Sequence, residues 1–170
     1  GMTAVFPYLE GKTRAELLGE TLTAQGADAE VSAIRAAMDE IYSIRPEERK
    51  PFAVTPEFIK VFNALGELDS YRDKETENGG GWASLGAVLA DESYSASNID
   101  ALFENMLVTA DGTYAIDYEW VFLFPVPAGF VKYRTLVYFY RRYKSLLGGQ
   151  AEREFIGQFS EYVRADEKLL

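Results

Sequence analysis

The sequence predicts an α+β fold that is mostly α, with one small β-hairpin packed on the helices. Apolar residues recur at helical spacing through much of the chain, and only the segment around Asp111-Gly112 places a tight-turn signal between two short apolar runs. Because two isolated strands are only marginally stable, the hairpin must pack against the helices. The 170-residue length and the 48% hydrophobic content favour one domain over residues 2–170, with Gly1 set aside as a tag remnant.

Two helices are predicted near the start of the chain. The first begins near Lys12, and Gly26 supplies its stop signal. Its apolar residues are Leu17, Leu18 and Leu22. The second helix can be capped by Asp28. Its apolar stripe, at spacings of three and four, is formed by Val31, Ile34, Met38, Ile41 and Tyr42.

A third helix is predicted after the charged loop 45–51. Thr55 suits the N-cap position and Pro56 the first helical position. Its buried side is predicted to carry Phe58, Ile59 and Phe62. The helical pattern then fades over residues 66–97. The glycines at 79–81 are predicted to form a loop, and no Lys-Ser/Thr pair follows them, so a phosphate-binding loop is not indicated.

The hairpin strands are predicted at residues 106–109 and 113–116. A helix over 130–147 is apolar or aromatic on almost every face and is therefore expected to run through the core. Its basic residues are expected to extend along its polar side toward solvent. They are Lys132, Arg134, Arg141, Arg142 and Lys144. A last helix is predicted over 151–170, with an apolar stripe of Phe155, Phe159 and Tyr162.

The residue inventory excludes several kinds of chemistry. The chain has no Cys and no His, which removes thiol nucleophiles, thiolate and imidazole metal sites and histidine-based triads. The net charge of −10 argues against nucleic-acid binding. No apolar run is long enough for a membrane span and no signal peptide is visible, so the expected location is the cytoplasm. The two tryptophans, Trp82 and Trp120, are expected in the core or at its rim.

The open end of the hairpin gathers polar residues that strand stability does not require. Asn105 precedes the first strand and Asp117 ends the second, so both lie at this end. Asp100 lies on the loop that leads to it, and Glu119 projects to the same side as Asp117 if the strand continues. Carboxylate and amide oxygens suit Mg²⁺, and a further Asp can orient a hydroxyl. The sequence therefore indicates equipment for phosphoryl transfer.

This arrangement resembles the catalytic segment of the kinase-like fold. Asp100, four residues, Asn105, a hairpin and then Ile-Asp-Tyr-Glu at 116–119 are similar to the aminoglycoside and choline kinase branch. The resemblance implies a kinase-like large lobe in which Asp100 is the catalytic base. It also implies that Asn105 and Asp117 hold Mg²⁺ beside ATP, with Glu119 as a supporting metal ligand.

Two longer segments extend the resemblance over most of the chain. Residues 6–18 resemble the segment after the hinge between the lobes, and the 130–147 helix resembles the one that supports the catalytic loop. The sequence departs from the family at Asn98, where the family usually has His, and it lacks the strand Lys and the glycine-rich lid. The chain alone is therefore expected to be inactive. The small lobe is expected upstream or from a partner, and the uncovered surface favours self-association.

Two alternatives stay open. The amino-acid sequence of residues 98–140 also resembles segments attached to bacterial glycosyltransferases and methyltransferases that build surface polysaccharide. In that context the domain would be a non-catalytic scaffold. The second alternative is a glycosidase that uses Asp117 and Glu119, because carboxylates two apart on one strand suit that chemistry.

Overall fold

The computed structural model describes residues 9–42, 49–64, 66, 69, 91–117 and 119–163. Within these residues the architecture is mixed α/β, with about 48% helix, 16% strand and small sheets, so helices dominate as the sequence predicts. The helices are α1 (Arg14–Gln25), α2 (Ala27–Tyr42), α3 (Pro56–Phe62), α4 (Ala128–Tyr143) and α5 (Glu152–Gly157), with a 3₁₀ turn at Phe103–Asn105.

The strands form three small antiparallel sheets within the described part of the chain. Their bounds are β1 (Lys12–Thr13), β2 (Lys50–Pro51), β3 (Glu92–Ser93), β4 (Ser97–Asn98), β5 (Met106–Thr109), β6 (Gly112–Ala115) and β7 (Val121–Phe122). The order is β1-β5-β6 in one sheet, while β2 pairs with β3 and β4 with β7.

The predicted hairpin is confirmed as β5–β6. Met106 pairs with Ala115 and Thr109 with Gly112, so the second strand begins and ends one residue earlier than predicted. The other strands contain only two residues each. Strands this short are fixed by their partners and carry no alternation of their own, which explains why the sequence pattern did not indicate them.

Helix α1 begins and ends as its sequence signals indicate. Thr13 and Glu16 form a reciprocal capping box, with the Glu16 backbone N–H 3.2 Å from Thr13 Oγ1. Gly26 ends the helix with a φ of +83°, a conformation that favours glycine. Leu18 and Leu22 are buried, whereas Leu17 is half-buried.

Helices α2 and α3 also follow their predicted patterns. Ile34 and Met38 of α2 are fully buried. Thr55 caps α3 by accepting the Phe58 N–H at 3.2 Å, and Pro56 occupies the first helical position. The predicted side-chain roles of Asp28, Ile41 and Tyr42, and the predictions for Trp82 and glycines 79–81, lie outside the described residues.

Helix α4 runs through the core, as predicted. Its buried residues are Ala128, Gly129, Val131, Thr135, Leu136, Val137 and Phe139. Asp91 accepts the Gly129 N–H at 2.5 Å, so a carboxylate from a distant segment caps the helix N-terminus. The packing beside α4 is aromatic, with Phe103 and Phe139 meeting edge to face at 5.9 Å.

Three predictions about the periphery were wrong. The loop 45–51 was expected to be irregular, yet Lys50 and Pro51 pair with β3. The last helix ends at Gly157 and continues as turns that bury Phe159. Trp120 is 60% exposed and so does not pack in the core. No helix within the described residues is long and apolar enough to cross a membrane.

Glu30 of α2 is fully buried, and neither of its carboxylate oxygens has a hydrogen-bond partner within the described structure. Burial raises the pKa of Glu30 to about 7, since an unpaired charge is costly away from water. The Leu22 backbone opposes this rise without reaching normal hydrogen-bond geometry. The burial of Glu30 was not predicted, because a Glu beside an apolar stripe is normally solvated.

We expect Glu30→Gln to change the pH dependence of stability. The folded-state pKa lies above the unfolded value of 4.5, so the favourable contribution of Glu30 is complete below about pH 4.5 and is lost as the pH rises through 7. Gln has no proton to lose, so the variant should lack this loss, which is about 3 kcal/mol. Urea unfolding at a series of pH values between 4.5 and 8 measures it.

A matched control is Glu57→Gln, which removes an exposed carboxylate from α3 and should leave the pH profile unchanged. Glu16 and Glu161 act in the opposite direction, because hydrogen bonds lower the pKa of each carboxyl and their contribution is lost only in acid. Identical profiles for wild type and Glu30→Gln would show that Glu30 does not titrate in this range.

Candidate functional site

Loop 98–105 is folded by its own short-range hydrogen bonds. The Asn98 side-chain oxygen accepts the Asp100 N–H at 3.0 Å, which forms an Asx turn directly after β4. The Asp100 carbonyl then accepts the Leu102 N–H at 2.7 Å, and the 3₁₀ turn leads into β5. Asn98 thus fixes the backbone beside Asp100.

Asn105 joins the two ends of the site. Its Nδ2 donates to the Asp100 carbonyl at 3.0 Å and to the Asp117 carbonyl at 3.3 Å. Its own carbonyl accepts the Ile116 N–H at 2.8 Å, which extends the hairpin ladder by one pair. The structure therefore brings Asp100, Asn105 and Asp117 together, as predicted from the open end of the hairpin. Within the described residues, no hydrogen bond reaches Asn105 Oδ1.

Asp117 has a φ of +52° and is the only non-glycine residue with positive φ in the described structure. Such a conformation costs about 1–2 kcal/mol for a residue with a Cβ, although Asp tolerates it better than most. Backbone strain of this kind concentrates at functional sites. The turn also directs the chain away from β6 and toward β7.

The Asp100 carboxylate is partly buried, with its side chain 13% exposed. Its Oδ2 accepts the Trp120 N–H at 3.2 Å, and its Oδ1 lies 3.5 Å from Nη2 of Arg134 on α4. The two carboxylate oxygens of Asp100 therefore have different partners. Asp100 is thus oriented by groups from two different elements.

Glu119 does not join this group. The prediction that it projects beside Asp117 required β6 to continue, but β6 ends at Ala115 and the backbone turns at Asp117. Glu119 is exposed, and no hydrogen bond or ion pair joins it to the other three residues in the described part of the chain. The geometric premise of the glycosidase interpretation, two carboxylates on one strand, is therefore wrong.

The acidic residues near the hairpin do not form a ready metal cage. Within the described residues there is no cluster of three or more Asp, Glu, His or Cys side chains placed to hold a metal ion. The oxygen atoms that fit a hard cation are the Asp117 carboxylate, which is exposed, and Asn105 Oδ1. Two such ligands suit Mg²⁺, which retains water and takes further ligands from phosphates.

Sequence reasoning missed Arg134 as a residue of this site. It was grouped with the basic side chains of the 130–147 helix, whose expected place was the solvated side. Arg134 Nε instead donates to the Ile99 carbonyl at 3.2 Å. A cation inside an otherwise aromatic helix was the available signal, but it did not specify the partner.

The surface beside the site is apolar and acidic. Trp120 is 60% exposed and Leu123 is 87% exposed, on either side of Val121. Glu104, on the loop itself, lies 3.8 Å from Arg142. Burial raises the pKa of Glu104, and the Arg142 guanidinium opposes that rise.

Comparisons of the chain with protein-family models, curated proteins and solved structures gave no match.

We expect the Asn105 amide to be essential for the stability of this loop. Asn105→Ala removes two hydrogen bonds and should lower the free energy of unfolding by about 1–2 kcal/mol. Asn105→Asp should cost more at neutral pH, because a carboxylate would face two carbonyl oxygens. Urea denaturation of the two variants measures both effects. An Asp variant as stable as wild type would contradict a role for the amide nitrogen.

We expect the backbone at Asp117 to favour glycine. Asp117→Gly should be more stable than Asp117→Ala by about 1 kcal/mol, because only Ala places a Cβ in the left-handed region. The matched pair Asp111→Gly and Asp111→Ala should show the reverse order, since φ is not positive there and Gly costs chain entropy. Thermal unfolding of the four variants tests this. The same order at both positions would contradict strain at Asp117.

Proposed function

We propose that this chain is the large lobe of a kinase-like phosphotransferase and carries half of a site for Mg²⁺ and ATP. The single observation that supports this most is the pair of hydrogen bonds from Asn105 Nδ2 to the Asp100 and Asp117 carbonyls. These bonds use the amide nitrogen and leave the amide oxygen available. They also hold the backbones of Asp100 and Asp117 close to Asn105.

Asp100 takes the part of the catalytic base in this proposal. Phosphoryl transfer depends mainly on positioning and charge neutralisation, so its base need only orient the acceptor hydroxyl and receive the proton late. A carboxylate held in position by Arg134 and the Trp120 N–H suits that task. The acceptor hydroxyl would approach Oδ2, beside the exposed face of Trp120.

In the same proposal, the metal ligands are Asn105 Oδ1 and the Asp117 carboxylate. Mg²⁺ is usually bound by one or two protein oxygens together with substrate phosphates and water, so a two-ligand site needs the nucleotide to complete it. The strain at Asp117 supports this assignment, because a left-handed Asp is retained at a cost that Gly would avoid. The role of Glu119 as a supporting ligand stays a prediction.

The proposal requires a second lobe to cover the nucleotide. The described residues include no basic side chain in hydrogen-bond contact with Asp117 or Asn105 that could hold phosphates. That charge would come from an upstream segment or a partner, within a protein that builds surface polysaccharide. In the alternative, the domain keeps this geometry as a non-catalytic scaffold. That alternative is favoured by the hydrogen bonds and the ion pair that Asp100 and Asn105 already make within the chain.

The test is calorimetric titration of Mg²⁺-ATP into the longest natural polypeptide that carries this chain. We expect binding that requires Mg²⁺ and is abolished in Asp117→Asn, because the variant loses the charged metal ligand. Asp111→Asn is the matched control. It removes the same charge at the opposite end of the hairpin and should bind as wild type does.

The outcomes separate the two functions. Equal loss of binding in Asp117→Asn and Asp111→Asn would mean that net charge, and not the site, controls affinity. Absence of Mg²⁺-ATP binding by the wild-type polypeptide would reject the phosphotransferase and leave the scaffold as the function.

A further inference from the structure

Helix α4 holds the loop that carries Asp100 through two adjacent residues. Arg134 Nε donates to the Ile99 carbonyl at 3.2 Å, and the buried Thr135 hydroxyl donates to the Ala101 carbonyl at 2.9 Å. The carbonyls on both sides of Asp100 are therefore fixed to the same turn of one helix. That helix is the most deeply buried in the described structure, so the loop is attached to a rigid element.

The Arg134 guanidinium uses two of its nitrogens in this contact. While Nε holds the backbone at Ile99, Nη2 lies 3.5 Å from the Asp100 carboxylate. This distance is long for a direct charge-assisted hydrogen bond, so the ion pair supplies charge neutralisation and the Nε bond supplies geometry. Lys, with a single charged nitrogen, cannot make both contacts in the same way.

Arg134 is itself held in place. Its Cζ lies 5.3 Å from the centre of the Tyr138 ring, one helical turn further along α4. Its side chain is 26% exposed, compared with 47% for Arg142, which pairs with Glu104 at 3.8 Å. The two arginines are eight residues apart, so they share one face of α4, but only Arg134 reaches the backbone of the loop.

We propose that Arg134 is the positioning residue for Asp100 and sets the direction in which the Asp100 carboxylate faces the acceptor. The inference rests on the proposed function, in which Asp100 is the base. Arg134 fixes Oδ1 toward α4, and this leaves Oδ2 directed toward the Trp120 N–H and the surface beside Trp120. An acceptor hydroxyl then replaces the Trp120 N–H as the hydrogen-bond donor to Oδ2.

Amide hydrogen exchange of the full chain tests the contact without any ligand. In Arg134→Gln the Asp100 carboxylate loses its anchor, and the Trp120 amide should exchange faster by about tenfold, the change expected when one charge-assisted hydrogen bond is weakened. The Ile116 amide, which donates to Asn105, is the internal reference and should keep its rate. Arg134→Lys should give an intermediate rate, and the matched control Arg142→Gln should leave both amides unchanged.

The kinetic arm uses Mg²⁺-ATP and measures ADP release by the longest natural polypeptide. Arg134→Gln should leave the Kd for Mg²⁺-ATP unchanged, since the metal ligands are intact, and should lower kcat by about tenfold or more, because the base is misdirected. Arg134→Lys should recover part of kcat. If Arg134 had only a structural role, each variant would be less stable, but kcat would not fall while Kd stays unchanged.

The two proposals fail separately. An unchanged Trp120 amide in Arg134→Gln overturns the positioning role, whatever the nucleotide results are. Equal weakening of Kd and kcat also overturns it. If wild type does not bind Mg²⁺-ATP, the phosphotransferase fails, and the exchange rates alone then decide whether Arg134 orients Asp100.

Discussion

The geometry of the candidate site depends on one side-chain amide. Asn105 Nδ2 links the carbonyl of Asp100 to that of Asp117, two positions that are seventeen residues apart along the chain. The β5–β6 ladder brings these segments close but does not fix their relative direction beyond Ile116. A side chain with two donors on one nitrogen can hold both carbonyls at once. The relative placement of the Asp100 and Asp117 backbones follows from this arrangement.

The position of the loop also depends on its packing against the aromatic core. Phe103 of the loop meets Phe139 edge to face at 5.9 Å, and Phe139 in turn lies 6.3 Å from Phe155. Phe155 and Phe159 continue the contact at 5.2 Å. Large rings packed in this way leave few alternative arrangements. The loop is therefore held against the core by the Phe103 ring and by the hydrogen bonds that its Ile99 and Ala101 carbonyls accept from α4.

The sequence was sufficient for the parts of the fold that local patterns determine. The capping signal at Thr55, the stop at Gly26 and the turn at Asp111-Gly112 all lie where their chemistry indicated. The convergence of Asp100, Asn105 and Asp117 was also predictable, because a hairpin must bring the residues at its two ends together. Whether these residues perform phosphoryl transfer stays a prediction.

The rest depended on contacts between distant segments. The short strands β2 and β3 exist only as a pair, and Arg134 finds its partner thirty-five residues earlier in the chain. The positive φ at Asp117 ended the strand that would have aligned Glu119. The burial of Glu30 could not be predicted for the same reason, since it depends on the segments that pack over this residue. No local pattern encodes these features.

The contact between α2 and the turns after α5 has a consequence for how the protein is made. Arg35 pairs with Glu161 at 2.7 Å across 126 residues of chain, and Tyr162 donates to Asp39 at 2.8 Å. A ribosome adds about 5–20 residues per second, so α2 emerges on the order of ten seconds before its partners do. During that interval Arg35 and Asp39 lack these two partners, whereas α1, which packs against α2, has already been made. The α1–α2 pair can therefore form first, and the polar contact with the later segment joins it afterwards.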